Sequence, residues 1–171
     1  MMTSKEKLTH VQDVMTREVV SVSPDATLAE AAMLLHTHGF SGLPVVDEHN
    51  VLKGILTEYD LISGGFAIHL PTVQIILEKF MSVPQGPFAR ELEKIAALRV
   101  RDVMNKEPMT LLEDMPLAEA VLAFQAHHRV NPMPVIDASN KVVGIVSRFD
   151  ILKIFRSALE APSVRAKGDK R

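Results

Sequence analysis

At 171 residues with 47% hydrophobic side chains, the chain is long enough to bury the core of one ordinary domain or two small ones. Its 19 basic and 21 acidic residues leave a formal net charge of −2, which excludes a field that would attract nucleic acid or an anionic membrane. The absence of cysteine excludes disulfides and thiolate metal sites and suits a reducing compartment. We expect a cytoplasmic protein with no nucleic-acid partner and no membrane insertion.

Hydrophobic periodicity in the first third of the chain predicts a strand, a helix, a hairpin and a second helix. The predicted elements are strands at 19–22, 43–46 and 51–56 and helices from 28 and from about 58. Thr27 and Glu30 form the pattern of a capping box, and Gly39 is placed to end the helix that they start. Each of these elements has an apolar face that must pack against another.

The same blocks return in the same order in the second half of the chain. Val11-Gln12-Asp13-Val14-Met15 returns as Val100-Arg101-Asp102-Val103-Met104, Pro44-Val45-Val46-Asp47 as Pro134-Val135-Ile136-Asp137, and Gly54-Ile55-Leu56-Thr57 with Asp60 as Gly144-Ile145-Val146-Ser147 with Asp150. The repetition predicts two mixed α/β units, each reading strand, helix, strand, strand, helix. Asp13, Met15, Asp102 and Met104 are assigned to capping and packing, not to a ligand.

The residues between the repeats have no counterpart elsewhere in the chain. Apolar side chains from Val73 to Met81 fall at helical spacing, and a Pro-Gln-Gly-Pro break separates them from a second helical pattern. The predicted organisation is a first unit at 1–64, a helical insert at 65–98, a second unit at 99–160 and a flexible tail at 161–171. The insert packs on its own units in one interpretation and forms a subunit interface in the other.

The ordered set of blocks closely resembles the cystathionine-β-synthase (CBS) domain, present here as a tandem pair covering about 11–64 and 99–157. The resemblance implies two units packed sheet to sheet about a pseudo-two-fold axis. It implies two clefts that bind adenosine-containing ligands such as AMP, ADP, ATP or S-adenosylmethionine. It also implies a homodimer.

The resemblance places the ribose ligands at Asp60 and Asp150, since a carboxylate can accept hydrogen bonds from both ribose hydroxyls. Thr57 and Ser147 stand three residues earlier, beside a helix N-terminus that favours anions. The adenine slot is assigned to strand residues of both units, namely Ser21, Gly42, Leu43, Pro44, Val45, Thr110, Asn131, Met133, Pro134 and Val135. The competing interpretation is that both acids only complete capping boxes, and the two roles can coexist.

Two arginines predict that the sites differ. Arg148 lies between Ser147 and Asp150, and Arg129 precedes the second apolar slot, where the first copy has Glu58 and Phe40. Because a guanidinium suits phosphate, the hypothesis gives the phosphorylated nucleotide to the second site. The alternative is that Glu58 and Arg148 point into water.

No pattern of catalytic or metal-binding residues accompanies these blocks. There is no Gly-x-Ser-x-Gly, no glycine-rich phosphate loop and no histidine spacing typical of zinc, so no turnover, no enzyme cofactor and no metal are expected. The prediction is a regulatory sensor of an adenosine nucleotide, AMP or ATP, acting on a separately encoded enzyme or transporter. The alternative is an interaction or scaffold dimer with degenerate, ligand-free clefts.

Overall fold

The computed structural model describes residues 8–63, 94 and 96–159. The first half contains a 3-10 turn Val11–Asp13, helix α1 Leu28–His38, strands β1 Gly42–Val46 and β2 Leu52–Thr57, and helix α2 Glu58–Ser63. The second half contains helix α3 Val100–Val103, strand β3 Leu111–Leu112, helix α4 Leu117–Ala126, strands β4 Met133–Ile136 and β5 Val142–Val146, and helix α5 Arg148–Leu159. The predicted mixed α/β class and the repetition of its units are confirmed.

Each half builds its sheet on an antiparallel hairpin, β1 with β2 and β4 with β5. β3 adds to β4 in parallel. At the matching place in the first half, Val22 makes a single parallel bridge to Val45, so the strand predicted at 19–22 is reduced to one paired residue. The residues just before Val22 are therefore not held in a ladder, and some of them line a cleft described below.

Helix α1 begins and ends where the sequence predicts. The Glu30 amide donates to the Thr27 hydroxyl at 3.2 Å, and the Thr27 amide donates back to the Glu30 carboxylate at 2.7 Å, so two amides of the first turn are satisfied. Gly39 follows the helix with a φ of 64°, a conformation that glycine adopts without steric cost. The buried face of the helix consists of Leu28, Ala31, Ala32 and Leu35.

The segment that opens each repeat packs in the hydrophobic core of the other repeat. Val100, from the start of the second repeat, is fully buried in the first core with Leu28 and Leu43. Val11, from the start of the first repeat, is fully buried in the second core with Leu111. Each physical core is therefore assembled from both repeats, although the repeats are continuous in sequence.

Reciprocal backbone hydrogen bonds fasten these exchanged segments. Thr16 and Ile145 exchange amide-to-carbonyl bonds of 2.9 and 3.0 Å, and Asn105 and Ile55 exchange two of 2.9 Å. These are equivalent positions of the two repeats, so the contacts are related by the expected pseudo-two-fold arrangement.

The hairpin turns meet close to the same axis. Asn50 and Asn140 both adopt left-handed backbone conformations, with φ of 62° and 59°. The Asn50 side-chain amide donates to the Val142 carbonyl at 2.8 Å, and the Asn140 side-chain amide donates to the Leu52 carbonyl at 3.2 Å. Each turn is therefore tied to the hairpin of the other half.

The predicted helical insert lies almost entirely outside the described residues, as does the predicted tail. Where the chain is described again before α3, the Leu28 amide donates to the Leu98 carbonyl at 2.9 Å. Across residues 8–63 and 96–159, no helix combines the length and the apolar composition that a membrane span requires.

Candidate functional site: two clefts between the repeats

Asp60 and Asp150 occupy equivalent positions in the first turns of α2 and α5. Asp60 Oδ2 accepts the Thr57 amide at 2.8 Å and the Thr57 hydroxyl at 2.6 Å. Asp150 Oδ2 accepts the Ser147 amide at 2.9 Å and the Ser147 hydroxyl at 2.7 Å. Both acids therefore cap their helices, and in each acid the capping bonds use only one carboxylate oxygen, Oδ2.

Asp150 lies in a cavity of about 450 Å³, called here the Asp150 cleft. Its walls come from both halves of the chain, and the lining residues from the first half are Thr16, Glu18, Val19, Val20, His38, Gly39, Phe40, Ser41 and Gly42. The second half contributes Asn131, Pro132, Ile145, Ser147, Phe149 and Asp150. The volume falls in the range of small-molecule sites.

Asp60 lies in a second cavity of about 260 Å³, the Asp60 cleft. The first half contributes Ile55, Thr57, Tyr59 and Asp60, and the second half contributes Asn105, Glu107, Pro108, Met109, Arg129, Val130, Asn131 and Pro132. Most of these are the counterparts of residues lining the Asp150 cleft, including Glu107 for Glu18 and Thr57 for Ser147. The repeat therefore generates two related clefts, and in each the acid faces the opening segment of the other repeat.

The wall shared by the clefts is made by Asn131 and Pro132, which line both of them. The Asn131 side chain donates to the Ser41 hydroxyl at 3.1 Å and accepts the Arg148 amide at 2.9 Å. A Cβ atom on Gly42 would lie 2.7 Å from Cδ of Pro132, so glycine is needed for this close approach. Asn131 and Gly42 thus combine a wall position with a packing role.

The acids differ in their electrostatic surroundings. Asp150 is 8% exposed, and its Oδ1 accepts a hydrogen bond from Lys153 Nζ at 3.0 Å. Burial raises the pKa of Asp150, but the Ser147 hydroxyl, the Ser147 amide and the Lys153 ammonium outweigh burial, so the pKa lies below its ordinary value. Asp150 is therefore ionised at neutral pH and already has a cation beside it.

Most of the strand residues predicted to form the adenine slot do not line either cleft. Leu43, Pro44, Val45, Met133, Pro134 and Val135 are buried and are not lining residues of either cleft. Ser21 lies in a separate open groove with Arg99, and Thr110 is half-buried away from both clefts. The residues at the start of these hairpins and just before them, such as Gly42 and Asn131, line the clefts instead.

The two arginines also lie elsewhere than the sequence suggested. Arg129 lines the Asp60 cleft and not the Asp150 cleft. The Arg148 guanidinium donates to the His128 carbonyl, and Arg148 lines neither cleft. The grouping of both arginines with Asp150 is therefore wrong, because each cleft combines the helix start of one repeat with the slot of the other.

Several lining residues were not singled out from the sequence, notably Glu18, Val20, Asn105 and Met109. They follow the Asp-Val-Met blocks, whose repetition was noted, but their position in the clefts depends on the exchange of opening segments. Within the described residues, no three histidine or acidic side chains are grouped so that they could hold a metal ion.

The sequence matches the family described as CBS domain over residues 11–65 and 100–157. It is 33% identical over 141 residues to an inosine-5'-monophosphate dehydrogenase of Methanocaldococcus jannaschii, a match that covers 82% of this chain and 22% of that enzyme. CBSX2 of Arabidopsis thaliana in complex with AMP has a similar fold, with a TM-score of 0.66 and 24% identity over 88% of this chain and 98% of that one. So does the CBS domain pair of protein MJ0100 in complex with 5'-methylthioadenosine and S-adenosyl-L-methionine, with a TM-score of 0.63 and 24% identity over 89% and 99%. The chain thus belongs to the CBS domain family and carries the domain twice in tandem.

Proposed function

We propose that the protein is a regulatory module that binds an adenosine-containing ligand in the clefts between its repeats, without catalysing a reaction. The observation that carries the proposal is that the two repeats place Asp60 and Asp150 in two related cavities walled by both halves of the chain. An acid that served only as a helix cap would not need such a cavity in front of it. The fold relatives in complex with AMP and with S-adenosyl-L-methionine support the ligand class.

The chemistry of the clefts suits a nucleoside. The capping hydroxyl and amide hold Oδ2 of each acid and so fix the carboxylate. Oδ1 of Asp60 can then accept a bond from a ribose hydroxyl, whereas at Oδ1 of Asp150 a ribose hydroxyl must compete with Lys153. Apolar side chains such as Val20 and Phe40 in one cleft, and Met109 and Val130 in the other, offer contact for a purine face. Asn131 adds an amide at the shared wall.

Thermal melting with AMP, ATP and S-adenosylmethionine tests this proposal. A ligand at about 100 times its dissociation constant stabilises the folded state by roughly 2.7 kcal/mol, which raises the melting temperature measurably. We expect Asp60→Ala and Asp150→Ala each to reduce the shift caused by at least one of these ligands. Glu30→Ala is the matched control, because it removes the same capping-box bond in α1, away from both clefts.

The control separates the two roles of the acids. All three variants are expected to melt at lower temperature without ligand, since each loses a helix cap worth about 1 kcal/mol. Only the two aspartate variants should also lose the response to one or more of the ligands. A ligand shift that survives in both aspartate variants, or no shift with any adenosine compound in the native chain, would reject the proposal.

One observation favours the second candidate, a scaffold with ligand-free clefts. Both oxygens of Asp150 already accept hydrogen bonds from Ser147 and Lys153, so this carboxylate is satisfied without any ligand. A scaffold predicts that Asp150→Ala lowers stability and that neither the native chain nor the variant shows a melting shift with any of the adenosine compounds.

The proposal extends to assembly and to a target. Phe149 and Leu152 on α5 are 66% and 62% exposed, and large apolar side chains on one exposed helix support a homodimer. The similarity to part of a dehydrogenase supports an enzyme as the regulated target, although a transporter fits equally. Sedimentation with and without AMP tests the dimer.

A further inference from the structure

The two clefts are lined by equivalent acidic residues but by different basic residues. Each cleft contains one glutamate, Glu18 or Glu107, at equivalent positions, and one capping aspartate. Arg129 lines the Asp60 cleft, whereas the residues ahead of β1 in the Asp150 cleft are His38, Gly39, Phe40 and Ser41, with the His38 ring stacked on Phe40. Since the acids are matched, Arg129 is the one permanently charged side chain by which the two sets of lining residues differ.

The Arg129 guanidinium makes no hydrogen bond or ion pair with any residue in the described part of the chain. Glu107 lines the same cleft, yet it forms no ion pair with Arg129. Other arginines are engaged: Arg148 donates to the His128 carbonyl, and Arg101 pairs with Asp25. A guanidinium left unpaired in a cavity wall retains its full capacity for a bidentate anion.

The aspartates point to the same difference independently. Asp150 Oδ1 is occupied by Lys153, and Lys153 Nζ also lies 4.8 Å from the centre of the Phe149 ring. Residue 63, the position matching Lys153 in the first repeat, is a serine, so Asp60 has no equivalent lysine. A ribose entering the Asp150 cleft must therefore compete with an ion pair that has no counterpart at Asp60 among residues 8–63 and 96–159.

We infer that the Asp60 cleft is the site for a phosphorylated nucleoside, with Arg129 binding the phosphate, and that the Asp150 cleft takes adenosine ligands without phosphate. This inference rests on the proposed function and adds the charge class of each ligand. In the Asp150 cleft Glu18 repels a phosphate, and Lys153 is already paired with Asp150. In the Asp60 cleft the arginine offsets the repulsion by Glu107.

Calorimetric titration with two probes, AMP and adenosine, tests the inference because they differ only in the phosphate. Arg129→Gln should weaken AMP binding about tenfold, the order expected for one charged hydrogen-bonding contact that is partly exposed. Adenosine affinity should change less than about twofold, since no ribose or adenine contact is removed. Arg17→Gln is the matched control, because Arg17 is an exposed arginine facing Glu113 outside both clefts and should leave both affinities unchanged.

Two further variants identify the cleft that binds AMP. Asp60→Asn should abolish most AMP binding, while Asp150→Asn should leave AMP binding close to that of the native chain. Melting curves without ligand show whether each variant is folded before it is titrated. The Arg129→Gln variant replaces an exposed side chain and needs no repacking. Its AMP affinity therefore still tests the inference if an aspartate variant fails to fold.

The outcomes separate this inference from the proposed function. AMP affinity that is unchanged in Arg129→Gln, or lost in Asp150→Asn but kept in Asp60→Asn, overturns the charge assignment and leaves adenosine binding in place. Failure of the native chain to bind either probe overturns both. Equal weakening of AMP and adenosine in Arg129→Gln also overturns the assignment, because the arginine would then act on the shared nucleoside.

Discussion

At the scale of single residues, the same capping box serves two acids in different environments. Thr57 and Ser147 hold Asp60 and Asp150 through the same three hydrogen bonds, as the repeat predicts. In the described part of the chain, only Asp150 also accepts a bond from a lysine. These partners stabilise the charged form of Asp150, so its contribution to folding depends on pH.

We expect Asp150→Asn to lower the free energy of unfolding by about 1 to 3 kcal/mol at pH 7, since charge-assisted hydrogen bonds are lost. The pKa of Asp150 is lowered in the folded state, so its stabilisation is fully present above the unfolded value near 3.8 and is lost as pH falls through the lower folded value. Urea unfolding of the native protein and of Asp150→Asn from pH 7 to pH 3 measures how the stability difference depends on pH. A stability difference that grows on acidification would contradict it.

At the scale of elements, the opening segment of each repeat packs on the β-hairpin of the other repeat. A Cβ atom on Gly54 would lie 2.5 Å from the Asn105 carbonyl oxygen, which belongs to the backbone. A Cβ atom on Gly144 would lie 2.4 Å from Sδ of Met15, which belongs to a side chain. The glycines of the repeated Gly-Ile block are thus required for contact between repeats, and the cost of replacing them depends on what can move.

We expect Gly54→Ala to destabilise the protein by about 1 to 3 kcal/mol, because the backbone pair of Ile55 and Asn105 must separate. Gly144→Ala should cost less, about 1 kcal/mol, because the unbranched Met15 side chain can change rotamer. Denaturant unfolding of the two variants side by side provides the measurement. The opposite ranking would show that the Met15 contact is the more rigid one.

At the scale of the whole molecule, the exchanged segments couple the two cores. Val11 and Val100 are each fully buried in the core opposite to their own repeat. The reciprocal bonds from Asn50 and Asn140 add a second connection between the halves. Neither core can therefore lose its packing without exposing residues that belong to the other.

This coupling predicts one cooperative unfolding transition. Tyr59 is the only tyrosine and there is no tryptophan, so tyrosine fluorescence reports on the first half while far-ultraviolet circular dichroism reports on the whole chain. The two urea midpoints should coincide. Val11→Ala should shift both midpoints together, with a loss of about 2 kcal/mol from lost burial and a cavity. A shift confined to dichroism would mean that the halves unfold separately.

Much of the local structure could be predicted because neighbouring residues determine it. Spacing and backbone preferences within a few residues determine the capping box of Thr27 and Glu30, the end of helix α1 at Gly39, and the hairpins. The first strand was overpredicted, since only Val22 finds a partner. Strand formation requires a neighbouring strand, which a single segment does not specify.

The repeat, the elements and the two capping acids could be read from the sequence, because they arise from local spacing repeated along the chain. Which residues share a cleft could be learned only from the folded chain. Arg129 joins Asp60 instead of Asp150 because each cleft combines the helix start of one repeat with residues ahead of a hairpin in the other, and this arrangement depends on contacts between residues far apart in sequence. Long-range packing therefore sets the electrostatic character of each site, although every residue involved is visible in the sequence.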